Sequence, residues 1–155
     1  MEAETAILVA ADVGPGASRA FARTAIKSVS AAIEFVDAAR PVSPLDELLA
    51  HDILHDAVCF GEDRVLAEAE GLVAKGFPVV THNGGSERKG IAGRYPDDLA
   101  DLVVHVANVL ARYGETLKAG DRIIGGSYID PFDIAPGDRV EAKFGPLGTL
   151  AFDVE

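Results

Sequence analysis

A chain of 155 residues fits one domain and can bury a core without a disulfide or a structural metal. Its net charge of −11 repels phosphate backbones, and no basic cluster offsets it, which argues against a nucleic-acid partner. The acidic N-terminus has no basic head like that of a signal peptide, no apolar run reaches the length of a membrane span, and the single cysteine, Cys59, cannot form an internal bridge; together these fit a cytoplasmic protein without a membrane partner.

In chain order, "ETAILVAADVGPG" predicts a strand from Glu4 to about Ala10 and then a turn rich in Gly and Pro. "ASRAFARTAIKSV" predicts a helix capped by Ser18, with Phe21, Ala25, Ile26 and Val29 at helical spacing. "AAIEFVDAAR" is β-rich and reads as a strand with an acid, Glu34, in its middle. "SPLDELLAHDILH" reads as a helix with Ser43 as cap, Pro44 at its first position and Asp46 completing a partial capping box. "AVCFG" reads as a short buried strand with Cys59 as a small core residue. "RVLAEAEGLVAKG" is ambiguous between helix and strand, and "FPVVTHNGG" is a strand running into a glycine loop. The clearest helix is "PDDLADLVVHVANVLARYG". Asp97 or Asp98 caps it, Leu99, Leu102, Val103, Val106 and Leu110 form its apolar stripe, Gly114 ends it, and His105 within it reads as structural.

The last third is β in character. "KAGDRIIGG" and "APGDRVEAKF" repeat a Gly-Asp-Arg turn feeding an alternating strand, and "GPLGTLAFDV" closes the sheet. There is no βαβ rhythm and no G-x-G-x-x-G after a strand, so a dinucleotide-binding fold is excluded. The expected class is α+β, mainly β: a curled antiparallel or mixed sheet with two or three flanking helices.

Three acids stand out against this pattern. Alternate residues of a strand project from one face roughly 7 Å apart, so Glu2 and Glu4 point the same way. Two such carboxylates repel each other unless a positive charge lies between them. If the strand bearing Glu34 is a neighbour, three carboxylates converge, and a hard, all-oxygen set suits Mg²⁺ or Mn²⁺. The competing reading is a solvated N-terminus, with Glu34 on an exposed face.

The combination resembles the metal-binding signature of the fumarylacetoacetate hydrolase superfamily: "EAE" ahead of an apolar strand, then "IEFVD". The similarity is greatest to its branch of 2-keto-4-pentenoate hydratases and 2-oxo acid decarboxylases. The stretch "VANVLARYGETLKAGDRIIGGSYIDPFDIAPGDRVEAKFGPLGTL" is similar to the closing helix, the L-x-A-G-D turn, the G-S loop and the final strand of the family's C-terminal catalytic domain. The resemblance implies a divalent metal, Mg²⁺ or Mn²⁺, held by Glu2, Glu4 and Glu34, with Asp37 as a nearby polar residue and Ser127 facing the substrate carboxylate. It implies a lyase, a hydratase or decarboxylase of a small 2-oxo or enol acid. A 2-oxo acid can chelate such a metal, which would stabilise an enolate.

Family members carry a region before the E-x-E strand that supplies acid–base residues and a lid. Here that strand starts at residue 2, so the expectation is one domain over 1–155 without that region. The family's D-N-A-S stretch after the third ligand is replaced by "HDILHD", and its small-residue glycine loop by the longer, charged "THNGGSERKG". General acid–base work would then fall to His82, His51 or His55, or to a partner chain. "HDILH" also resembles the zinc motif H-E-x-x-H, with His51 and His55 on one helical face, but Asp52 is one methylene short of the glutamate and no third ligand follows. His82, where a strand enters a glycine loop, occupies a common place for a site residue. Arg88 and Lys89 either close over an anionic substrate or are solvated. Two other readings stay open: a catalytically inert homologue acting as a binding or structural subunit, and an acylpyruvate-type C–C hydrolase. A homo-oligomer, or a partner supplying the missing region, is expected from the strand edges left exposed.

Overall fold

The computed structural model describes residues 1–37, 45–96 and 98–155. Its framework is two four-stranded sheets. In the first, β1 (Glu2–Val9) pairs antiparallel with β2 (Ile26–Val36), β6 (Arg122–Ile124) lies on the other side of β1, and β3 (His55–Phe60) forms the outer edge beside β2. In the second, β4 (Val79–His82) and β7 (Arg139–Lys143) are central, flanked by the short β5 (Arg88–Lys89) and by β8 (Thr149–Asp153). Every ladder is antiparallel. This is the curled, mainly β architecture with flanking helices expected from the sequence.

Alternation decides which way the first sheet faces. Ala3, Thr5, Ile7 and Val9 of β1 are all buried. Ala3, Ile7 and Val9 join Val29, Ala31 and Ile33 of β2 and Val80, Val140, Ala142, Phe144 and Leu147 around the second sheet in one core. Phe35 meets Phe152 edge-on at 5.2 Å, tying β2 to β8. The opposite face of β1 carries Glu2, Glu4, Ala6 and Leu8.

The helices lie outside this pair of sheets. In α1 (Arg19–Ala25) the Ser18 hydroxyl accepts from the Phe21 N–H at 3.2 Å. In α4 (Leu99–Ala111) the Asp98 carboxylate accepts from the Ala100 N–H at 3.0 Å. Asp98 is thus the cap; Asp97, the alternative, lies outside the described residues. Arg19 clamps Asp101 through two hydrogen bonds of 2.6 and 2.7 Å, joining the two helices. His105 is exposed on α4. The two Gly-Asp-Arg segments adopt the same turn. Gly120 and Gly137 both have positive φ, and the aspartate that follows each accepts from the N–H three residues back, Asp121 from Lys118 and Asp138 from Ala135.

Several expectations are corrected here. The first helix stops at Ala25 and does not continue through Val29. Ile26 already pairs with Val9, and the ladder from there buries Val29, Ala31 and Ile33 on one side, so an extended partner outcompetes weak helical periodicity. The strand containing Cys59 is an edge strand, mostly exposed, and Cys59 is exposed rather than in the core. "HDILH" is not a helix. A helix, α2, covers only Leu45–Ala50; Asp52–Leu54 form a 3₁₀ turn in which all three residues have positive φ, and His55 begins β3. His51 and His55 therefore share no helical face. Ser43 and Pro44, read as the cap and first position of that helix, lie outside the described residues. The ambiguous "RVLAEAEGLVAKG" contains only one helical turn, α3 (Leu66–Ala69).

Candidate metal centre

Glu2 and Glu34 are direct partners across the β1–β2 ladder, and Glu4 lies two residues along β1 on the same face. One carboxylate oxygen from each lies within 4.8 Å of the others. Glu4 is 1% exposed, while Glu2 and Glu34 are half-buried. The Glu4 Oε2 accepts from the Gly126 N–H at 2.9 Å, and the Glu34 Oε1 lies 2.6 Å from the His55 Nδ1.

The segment that delivers the Gly126 N–H explains the double glycine of "IIGGS". A Cβ on Gly125 would come within 2.3 Å of the Leu102 Cδ2 and 2.5 Å of the Tyr95 Oη. Gly126 follows at φ +111°, which L side chains rarely adopt. Behind the strand, Tyr95 stacks on Tyr128 at 4.2 Å; the Tyr95 hydroxyl donates to the Thr5 carbonyl at 3.3 Å, and the Thr5 and Tyr128 hydroxyls lie 3.2 Å apart. Buried hydrogen-bonded side chains thus brace β1 on the core side of the glutamates.

The electrostatics are unfavourable for a bare cluster. Burial pushes the Glu4 carboxyl up to about 8; the Gly126 N–H opposes this, and Glu34 and Glu2 add to it. Burial raises Glu2 as well, and Glu34 raises it further. Among the described residues no lysine or arginine forms an ion pair with any of the three. Three hard oxygens converging with no lysine or arginine paired to them match the donor chemistry of Mg²⁺, Mn²⁺ or Ca²⁺, so this donor set fits a divalent ion.

An open pocket of about 490 Å³ lies over the cluster. Its walls include Glu2, Glu4, Glu34, Asp52, His55, Phe60, Arg122 and Gly126. Of the residues singled out in the sequence, the three glutamates and His55 meet here. Exposed His51 precedes the strained turn and does not line the pocket. Ser127, next to Gly126, is outside that lining, and its hydroxyl accepts from the Ala3 N–H at 3.3 Å. Asp37 borders a neighbouring depression with Met1, Val36 and Phe132, and its N–H donates to the Leu54 carbonyl at 2.9 Å. His82 belongs to the second sheet, with Nε2 2.8 Å from the Asp138 Oδ2 and its ring beside Phe132; the Arg88 guanidinium lies 4.2 Å over the same Phe132 ring. Neither lines the pocket.

The sequence reading missed Arg122, Phe60 and Asp52. Alternation in "DRIIGG" puts Arg122, Ile124 and Gly126 on one face, but only the pairing of Leu8 with Arg122 and of Ala6 with Ile124 makes it the glutamates' face.

No protein-family model matches the chain. Its fold, a curled antiparallel sheet with flanking helices, is like that of the C-terminal domain of fumarylacetoacetate hydrolase-type proteins. In particular, it is similar to 4-oxalocrotonate decarboxylase from Pseudomonas putida G7, solved with magnesium and adipate (TM-score 0.87, 23% identity, 99% of this chain and 59% of that one). The structure of that enzyme with calcium and acetate gives a TM-score of 0.86 at 24% identity. Fumarylacetoacetate hydrolase from Exiguobacterium antarcticum superposes at a TM-score of 0.71, with 20% identity over 99% of this chain and 55% of that one. In sequence, 69 residues are 35% identical to the 2-oxo-hept-4-ene-1,7-dioate hydratase of Escherichia coli, 44% of this chain and 26% of that protein. The chain thus spans about a quarter of the hydratase and under two thirds of the decarboxylase. Among the described residues no helix is long and apolar enough to cross a membrane.

Proposed function

We propose that this chain is a divalent-metal-dependent lyase domain, a hydratase or decarboxylase of a small 2-oxo or enol acid. The observation that carries this reading is the meeting of Glu2, Glu4 and Glu34 within 4.8 Å in an open pocket. Glu2, Glu4 and Glu34 would hold Mg²⁺ or Mn²⁺, and the ion would supply Lewis-acid polarisation of a 2-oxo group and compensation for developing negative charge. The Gly126 N–H fixes the orientation of Glu4. His55, with Nδ1 turned to Glu34, orients that carboxylate and leaves Nε2 as the ring nitrogen that exchanges a proton with substrate. The half-open pocket admits a small acid while the sheet shields one side of it from water. His82, Arg88, Asp37, His51 and Ser127 are engaged elsewhere or stand outside the lining, and they have no part in this scheme. The outer edge of β3, which pairs with no further strand among the described residues, and the exposed Leu45, Leu49 and Ile53 support self-association, which gel filtration tests against the 16.2 kDa of the chain.

Titration of Mn²⁺ into metal-free protein by calorimetry, repeated with Glu34→Ala, tests the centre. Binding that the substitution abolishes supports it; no binding by the unaltered protein overturns the metal centre and leaves a binding or structural subunit. Metal-dependent turnover of oxaloacetate or of 2-oxopent-4-enoate then separates decarboxylase from hydratase.

A further inference from the structure

Against the tyrosine pair that braces β1 lies a second cavity, which shares no lining residue with the pocket over the glutamates. Its volume is about 180 Å³. Leu72, Leu99, Tyr95 and Tyr128 form its floor, and all four are buried. The Tyr95 hydroxyl donates to the Thr5 carbonyl and the Tyr128 hydroxyl lies 3.2 Å from that of Thr5, so the polar end of each ring is already partnered on β1. Among the described lining residues there is no charged side chain, and the two tyrosines carry the only polar ones. Gly71, Ala74 and Ala92 stand exposed at the rim and are too short to close it.

Such walls select by size and by charge. An apolar cavity of roughly 150 Å³ accepts benzene, so a volume of about 180 Å³ has room for a single six-membered ring. An ionised guest would give up its hydration to walls that offer no counter-charge. The net charge of −11 disfavours an anion further. A neutral aromatic guest meets two tyrosine rings to pack against and needs no hydrogen bond that the floor lacks.

We propose that this cavity is a ligand site of its own, for one neutral aromatic ring, separate from the site that the three glutamates form and independent of whether they bind a metal. Titration of fluorobenzene into metal-free protein by ¹⁹F NMR tests it, with 4-fluorobenzoate as the charged counterpart. Fluorobenzene is expected to bind saturably at one site with a dissociation constant of about 1 mM or below, and 4-fluorobenzoate about tenfold more weakly or worse. Ala92→Phe and, separately, Ala74→Leu place a larger side chain at the exposed rim, and each is expected to weaken fluorobenzene by about tenfold or more. Tyrosine emission gives a second readout, because the chain has three tyrosines and no tryptophan, and two of the three stand on this floor. In Tyr113→Phe, which removes the third, emission should change over the same fluorobenzene concentrations, and this decides the matter if the rim variants do not fold. No saturable binding, equal affinity for 4-fluorobenzoate, an affinity that both rim variants leave unchanged, or emission that does not follow the binding curve overturns the proposal.

Discussion

The two sheets treat their acidic side chains in opposite ways. On the second sheet each carboxylate has its own partner. Arg139 and Lys143 pair with Asp153 and Glu141, each at 2.8 Å, and Asp138 takes hydrogen bonds from the Asn83 side chain and the Ala135 N–H and sits 2.8 Å from the His82 Nε2. Asp138 is accordingly held down at about 2, chiefly by Asn83, and Lys143 lowers Glu141. On the first sheet Glu2 and Glu4 are raised, chiefly by burial, and face Glu34. Carboxylates of the first kind are paired at the surface and cost the fold little. Those of the second kind cost stability in the bare protein, and a site that binds a cation has reason to keep them.

The sharpest way to break this contrast is Glu4→Gln. It should weaken Mn²⁺ binding by about a hundredfold or more, since a buried ligand loses its charge, and it should raise the melting temperature of the metal-free protein. A variant that binds Mn²⁺ as tightly as the unaltered protein would remove Glu4 from the centre.

The next largest effect is on pH. Glu4 takes up its proton near 8 in the metal-free fold but near 4.5 when unfolded. Between those values the folded state binds more protons, so its stability falls as pH rises from about 4.5 to about 8 and then levels off. Melting curves of metal-free protein should shift downward from pH 5 to pH 8, and Mn²⁺ should stabilise more at the upper end. The Glu4→Gln variant should lose most of this slope, and a melting temperature that climbs across the window would contradict the assignment.

His55→Phe tests orientation of a ligand rather than ligation. Its expected cost is about tenfold in Mn²⁺ affinity, with Glu34 still present. An unchanged dissociation constant would reduce His55 to a neighbour.

On the second sheet, Arg139→Ala should do almost nothing. It removes an exposed pair, so the melting temperature should move by no more than about 2 °C, with Mn²⁺ affinity unaltered. A large drop would mean that the second sheet leans on its charges.

Much of this was legible in local pattern. The strand at the head of the chain, the long helix with its Asp98 cap, and the paired Gly-Asp-Arg turns each follow from alternation, capping or a glycine at positive φ, all properties of neighbours along the chain. The errors fell where a distant partner outweighed local preference. Ile26 and Val29 have helical spacing yet pair with β1, and "HDILH" has the spacing of a zinc helix yet turns through three residues of positive φ into β3. Cys59 reads as core from its apolar neighbours, but β3 is an edge strand and most of its residues are exposed.

The sequence by itself determined the ingredients: two glutamates on one face of a strand, a third in another apolar strand, and a double glycine after a Gly-Asp-Arg turn. Tertiary structure decided the register, and register decided the site. Because side chains alternate with a period of two, a one-residue slip between β1 and β2 would turn Glu34 into the core and separate the three carboxylates. The same pairing on the other edge of β1 brought Arg122 into the pocket, a placement that no local pattern encodes.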